Sequence, residues 1–195
     1  MTATTLTLSP TGLTSADLSQ GRLFLQQTRD GLIGSARMVT SAQWTFRPGP
    51  ERWSVAEIVE HVIAVQELVI GMIRQKLSSA PPPPAGQDHE VVDSIVIHQI
   101  PSRLSKFPSP LPSTREIGKV EALRRYVDNC AALSEMLAST PGLRDHALDS
   151  PPLKAVSKGI YSVMDGYQWI LAAAAHAERH TKQILEVIAD DSFPA

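Results

Sequence analysis

Cysteine is almost missing from this chain of 195 residues: Cys130 alone can form neither an internal disulfide nor a multi-thiolate metal site. That fits a reducing compartment, expected to be cytoplasmic, and leaves any metal-binding duty to His, Asp and Glu. A surplus of positive charge is missing too. The 18 Lys plus Arg face 20 Asp plus Glu, a formal net charge of −2, so there is no broad basic field and no nucleic-acid partner is expected. Long apolar runs are also lacking. The best, Trp169 to Ala175, is stopped by His176 and Glu178, well short of the roughly 18–20 residues that span a bilayer, so no membrane partner is expected. Met1 to Gln20 carries no Lys or Arg and no apolar core, unlike a secretory signal, and residues 1–16 are expected to form a flexible leader. Strand signals are scarce: only Val91 to Ile100 has a β-branched run, isolated between prolines, which reads as a short helix or a lone extended segment.

What remains is an ordinary globular composition, with 43% hydrophobic and 19% charged residues, and a length that suits one domain over residues 17–190. The 15 prolines fall between four long intervals that can be helical. The first runs from about Asp17 to Gln43, with Leu18, Leu25, Leu32 and Val39 on one face. The second opens at Ser54, where Ser-Val-Ala-Glu reads as a capping box and Trp53 with Ile58 as a hydrophobic staple, and it ends before Pro81 to Pro84. The third covers about Thr114 to Ser139, its apolar face drawn by Ile117, Val120, Leu123, Val127, Leu133 and Leu137. The fourth begins near Asp165, again at a capping-box pattern, and runs to about Ala189. Four amphipathic helices without sheet partners predict an all-α four-helix bundle, with a long crossover connection, about Ala80 to Ser113, between the second and third.

The last helix reads His176-Ala177-Glu178-Arg179-His180. Side chains four apart stack on one helical face, so the two imidazoles can converge on one ion. Trp169, Ala173, Ile184 and Val187 share their stripe, which places them inward, whereas Glu178, Arg179, Lys182 and Glu186 fall mostly on the other side. In the second helix His61 continues through Val65 and Leu68 and borders the apolar face. Two histidines from one helix and a third from a neighbour give three nitrogen ligands with a coordination position left open. Three buried, hydrogen-bonded histidines are the competing reading. The segment is not the HExxH of zinc proteases: Glu178 lies about 200° around the helix from His176, so it is poorly placed as a general base.

Arg52 to His61 (Arg-Trp-Ser-Val-Ala-Glu-Ile-Val-Glu-His), followed by His176 to Ile184 (His-Ala-Glu-Arg-His-Thr-Lys-Gln-Ile), resembles the DinB-like superfamily, which includes the YfiT-type metal-dependent hydrolases. Arg103, Lys106, Phe107, Pro110 and Pro112 resemble a recurrent stretch between its second and third helices, and the likeness covers nearly the whole chain after about residue 20. The resemblance implies a four-helix bundle with a crossover and a divalent metal, zinc or nickel, held by His61, His176 and His180. It also implies two chemistries, hydrolysis of an ester, amide or similar bond, or transfer of a low-molecular-weight thiol such as bacillithiol or mycothiol to an electrophile. A small-molecule substrate is expected in either, and a homodimer is compatible with the family. Many members have no demonstrated activity, so a metal-stabilised binding or stress-response module without turnover is the alternative.

No catalytic carboxylate is assigned. Glu57 reads as a cap, Glu60 and Glu178 as solvated, and Asp165 as a helix start. Gln183, one turn beyond His180, reads as an outer-sphere or substrate contact, or more simply as an interfacial polar residue. His89, His98 and His146 are expected to be exposed, Arg103 to be a surface arginine or an anion contact, and Cys130 a small core residue.

Overall fold

The computed structural model describes residues 12–104 and 117–195, and these are mostly helical. In chain order they form α1 (Ser15–Ala36), α2 (Ser41–Thr45), α3 (Val55–Lys76), a 3-10 turn (Leu77–Ser79), α4 (His89–Gln99) and α5 (Lys119–Ser139). Then come β1 (Ala147–Asp149), α6 (Pro151–Val156), β2 (Val163–Asp165) and α7 (Gly166–Ile188). Residues 1–11, most of the expected leader, lie outside the described residues, as do 105–116, which hold the end of the expected crossover and the expected start of the third helix at Thr114.

Four helices start on the same reciprocal cap. Thr14, Thr40, Ser54 and Asp165 each accept from the backbone N–H three residues on, and Asp17, Gln43, Glu57 and Gln168 reach back to the cap residue's own N–H. In α3 the pair measures 3.3 Å from Glu57 N to Ser54 Oγ and 2.8 Å from Ser54 N to Glu57 Oε2. The first helix is shorter than the periodicity of Val39 indicates. It stops at Ala36, and the carbonyls of Arg37 and Val39 accept from Lys119 Nζ at 2.8 and 2.7 Å before Thr40 caps a new turn. A local hydroxyl and a distant lysine together outcompete continuation of the helix. The β-branched stretch near Val91 is helical as α4, capped by Asp88 and packed on α7.

α7 is the most enclosed helix. It packs against α1, α3 and α4, and every residue from Ile170 to Ala175 is buried. The alanines at 172 to 175 let neighbouring helices approach closely. At its start there is no room for a side chain: a Cβ on Gly166 would stand 2.6 Å from Leu77 Cδ2 and 3.1 Å from the Leu143 carbonyl oxygen. β1 and β2 pair antiparallel with Ala147 opposite Asp165, which fixes the register of the α7 N-terminus. Two apolar clusters fill the interior. One joins Val69, Ile73, Val92, Val96, Leu133 and Tyr167, and the other Leu32, Trp44, Ile58, Val62, Tyr126 and Ile184. A fully buried Ile58 or Leu133 contributes about 1.5–3 kcal/mol of transfer free energy. Three residues expected on apolar faces are exposed instead: Leu68, Val120 and Val127. On α5 the inward face is drawn by Ala122, Tyr126, Cys130, Leu133 and Leu137, so a spacing from Val120 and Val127 points off the packed side.

Candidate metal centre

His61 stands in the second turn of α3, whose start is fixed by the Ser54–Glu57 cap and by an ion pair between Arg47 and Glu57. His176 and His180 project from the middle of α7 toward α3, where the two helices pack. The three rings meet. His176 Nε2 lies 3.1 Å from His61 Nε2 and 3.1 Å from His180 Nε2, and the three ring centroids are 4.4–4.9 Å apart. Trp53 closes one side, edge-on to His61 with centroids 5.1 Å apart and stacked on His180 at 6.2 Å.

Burial sets the electrostatics. His180 is 6% exposed and its imidazole is pushed down to about 3, chiefly by burial and then by His61, while the contact with Gln183 Oε1 works the other way. Burial and then the two neighbouring rings hold His176 well below its ordinary value, and burial lowers His61. All three are therefore neutral bases at pH 7. A neutral imidazole has one N–H and one lone pair. His176 Nδ1 is buried with no hydrogen-bond partner, and its Nε2 faces two other Nε2 atoms at once. His176 Nε2 offers either one N–H or one lone pair and can serve only one of these contacts, so hydrogen bonding within the cluster leaves the other Nε2–Nε2 contact unpaired. A cation answers all three.

The two 3.1 Å contacts fit such an ion. With metal–nitrogen bonds of about 2.0–2.1 Å, two ligand nitrogens stand about 2.9 Å apart at a right angle and about 3.4 Å at the tetrahedral angle. The three histidines form a group whose ligand atoms all lie within 4.8 Å of one another, and among the described residues no further His, Cys, Asp or Glu joins it. Neutral imidazoles suit zinc, nickel, copper and iron alike.

Gln183 Oε1 lies 2.8 Å from His180 Nδ1, and Arg103 extends to the same oxygen. The other expected residues stand apart. His89 and His98 are exposed on α4, and His146 Nδ1 lies 2.6 Å from the Ala80 carbonyl oxygen. Cys130 is buried and accepts from Gln66 Nε2 at 3.3 Å, and burial raises its thiol. Glu178 is half-exposed and paired with Lys182 at 2.8 Å.

Two side chains expected in solvent are buried. Glu60 is 5% exposed and accepts from the Ile117 N–H at 2.9 Å, because the entry to α5 lies over this side of α3. Arg179 is 7% exposed although the helical spacing puts it off the histidine stripe, because α7 is enclosed on more than one face. Arg144 carries no signal in the sequence and forms a largely buried hub. Its guanidinium bonds Asp17 at 3.0 Å, Asp93 at 2.6 Å and Asp165 at 2.9 Å, and sits 4.3 Å from the Tyr167 ring centroid. Burial pushes Asp165 up to about 6 despite this arginine. Burial also works against the Asp17 carboxylate, but the Thr14 donors and Arg144 together hold it below its ordinary value. No sequence signal joins three aspartates so far apart in the chain.

Among curated proteins no match to the chain is found. The family described as the DinB superfamily matches residues 25–184, a span that includes His61, His176, His180 and Gln183, and the chain belongs to that superfamily.

Proposed function

We propose that this member of the DinB superfamily is a metal-dependent enzyme that binds one divalent ion, zinc or nickel, through His61, His176 and His180. The observation that carries this is the meeting of three neutral, largely buried imidazoles with Nε2 contacts of 3.1 Å. We read the long helices α1, α3, α5 and α7 as the family's four-helix bundle, with the connection through α4 as its crossover, in a single domain of a cytoplasmic protein.

The residues divide the work simply. His61 ties α3 to α7 across the centre, and His176 and His180 present two nitrogens from successive turns of one helix. Gln183 holds the far side of the His180 ring, a contact that orients a metal ligand. Trp53 covers two of the rings and limits access of water on that side. When bound, the ion supplies Lewis acidity, lowering the pKa of a water or thiol in an exchangeable position. Three neutral ligands leave its charge undiminished. Burial keeps the ligand nitrogens deprotonated below the usual imidazole range, so they remain available at mildly acidic pH.

The reaction class is hydrolysis of an ester, amide or related bond, or transfer of a low-molecular-weight thiol to a small electrophile. Metal-loaded protein is to be screened against simple esters and amides, and against thiol plus electrophile pairs. Turnover that disappears in His176→Ala and on chelation is the expected result. A coordination sphere closed entirely by protein atoms, seen by X-ray absorption, would instead establish a structural metal.

A further inference from the structure

Two charged side chains stand in line behind His180. Arg103, just beyond α4, lays its guanidinium against Glu186 of α7, with Nε 3.1 Å from Oε1 and Nη2 2.8 Å from Oε2. This is the two-bond fork that fixes an arginine in both position and plane. Its third nitrogen, Nη1, reaches Gln183 Oε1 at 3.5 Å, and that same oxygen lies 2.8 Å from His180 Nδ1. The line ends at His180 Nε2, which faces His176 Nε2 at 3.1 Å.

We infer that Arg103, fastened by Glu186, is a positioning residue for the metal centre: it turns the Gln183 amide oxygen toward His180 and thereby selects the imidazole tautomer that offers its Nε2 lone pair to the ion. The inference rests on the three histidines being the ligands. Its chemistry is that of donors and acceptors. A guanidinium only donates, so it accommodates the amide oxygen of Gln183 and repels the amide NH2. With the oxygen in place, His180 Nδ1 must carry the ring proton in order to donate to it, and Nε2 is then the lone pair. With the amide reversed, Nδ1 would accept from the NH2, and the proton would move to Nε2, pointing into the centre where the ion has to bind. Glutamine alone permits both arrangements, because its two ends are nearly the same size. Arg103 removes the ambiguity, and its own place is set independently by Glu186. A residue 80 positions earlier in the chain than Gln183 thus governs a ligand on α7.

The test is competition for Zn(II) between a chelator and the full-length chain, for wild type, His180→Ala, Gln183→Leu, Arg103→Met and the double variant Arg103→Met/Gln183→Glu. Side-chain 15N NMR of the metal-free proteins reads the His180 tautomer. Gln183→Leu is expected to weaken zinc binding by about 10–100-fold, and Arg103→Met by about tenfold, at the low end of what outer-sphere partners of metal ligands supply. Metal-free wild type should show His180 with its proton on Nδ1, and Arg103→Met a mixture of tautomers. Gln183→Glu should restore zinc affinity to Arg103→Met, because a carboxylate offers oxygen at either end and needs no selection. A purely structural Arg103 predicts no such rescue. Zinc affinity within twofold of wild type in Arg103→Met, an unmixed tautomer there, or absence of rescue overturns the inference. Loss of zinc binding in His180→Ala alongside a silent Arg103→Met removes the positioning role alone, whereas wild-type affinity in His180→Ala removes the ligand assignment itself.

Discussion

Asp165 caps the helix that carries the His176–His180 pair, roughly 16–23 Å away at 1.5 Å per residue, and electron-rich side chains from other elements gather at each place. At the Asp165 end, carboxylates from the start of α1, from α4 and from β2 close on Arg144. At the other end, His61 of α3 joins two imidazoles whose nitrogens face one another. The carboxylate cluster contains its own cation, supplied by the chain. The imidazole cluster is made of neutral bases, which tolerate burial without a counter-charge as carboxylates do not. A protein that needs only a rigid junction can complete it with an arginine. One that needs an exchangeable ion gathers ligands that wait uncharged. The contrast separates a structural hub from the proposed metal centre more sharply than burial does, since both places are largely buried.

The largest effect that tests this contrast is removal of the built-in cation. Arg144→Met leaves three carboxylates facing one another and should lower stability by about 3–5 kcal/mol in urea denaturation at neutral pH. Added zinc should not repair it. A loss under 1 kcal/mol would mean that the two ends are not different in kind.

Next comes the supplied cation. Wild-type protein with Zn(II) at a free concentration 100 times its dissociation constant should gain about 2.7 kcal/mol. His176→Ala should gain almost nothing, while its metal-free stability changes much less than that of Arg144→Met. Equal gains in both proteins would place the ion elsewhere.

The smallest effect is in the pH dependence of the metal-free protein, where the two ends pull in opposite directions. His180, at about 3 when folded, lies below the ordinary value of 6.5, so over that window the unfolded chain binds the proton and stability falls as pH falls. Asp165, at about 6 when folded, lies above the ordinary 3.8, so the folded state takes the proton first and this group adds stability as pH falls across that range. Urea midpoints from pH 7 to 4 should therefore decline less steeply in His180→Ala. They should decline more steeply in Asp165→Asn, which keeps a capping oxygen.

The two ends also differ in how far they can be read from sequence. Histidines four apart on an apolar stripe, and a third histidine seven residues after a capping serine, are local patterns; helical geometry alone stacks His176 on His180, and the packing of α3 on α7 brings His61 to them. The caps at Ser54 and Asp165 are local too, and both form. Arg144 and its three aspartates are not, because the contacts arise only once α1, α4 and the β1–β2 pair are assembled. Glu60 illustrates the same limit. Nothing beside it distinguishes a solvated glutamate from one buried under the entry to α5, which comes from 57 residues away. The break after Ala36 was hidden for a different reason: Val39 continues the apolar spacing, and the lysine that satisfies the broken turn belongs to α5.

The most direct measurement is the metal content of untagged protein by mass spectrometry, for wild type and for the triple variant His61→Ala/His176→Ala/His180→Ala. About one zinc or nickel ion per wild-type chain and almost none in the triple variant is the predicted result. Full occupancy in the triple variant, or a wild-type chain that takes up neither ion when both are offered, would contradict the assignment of these three histidines as the metal centre.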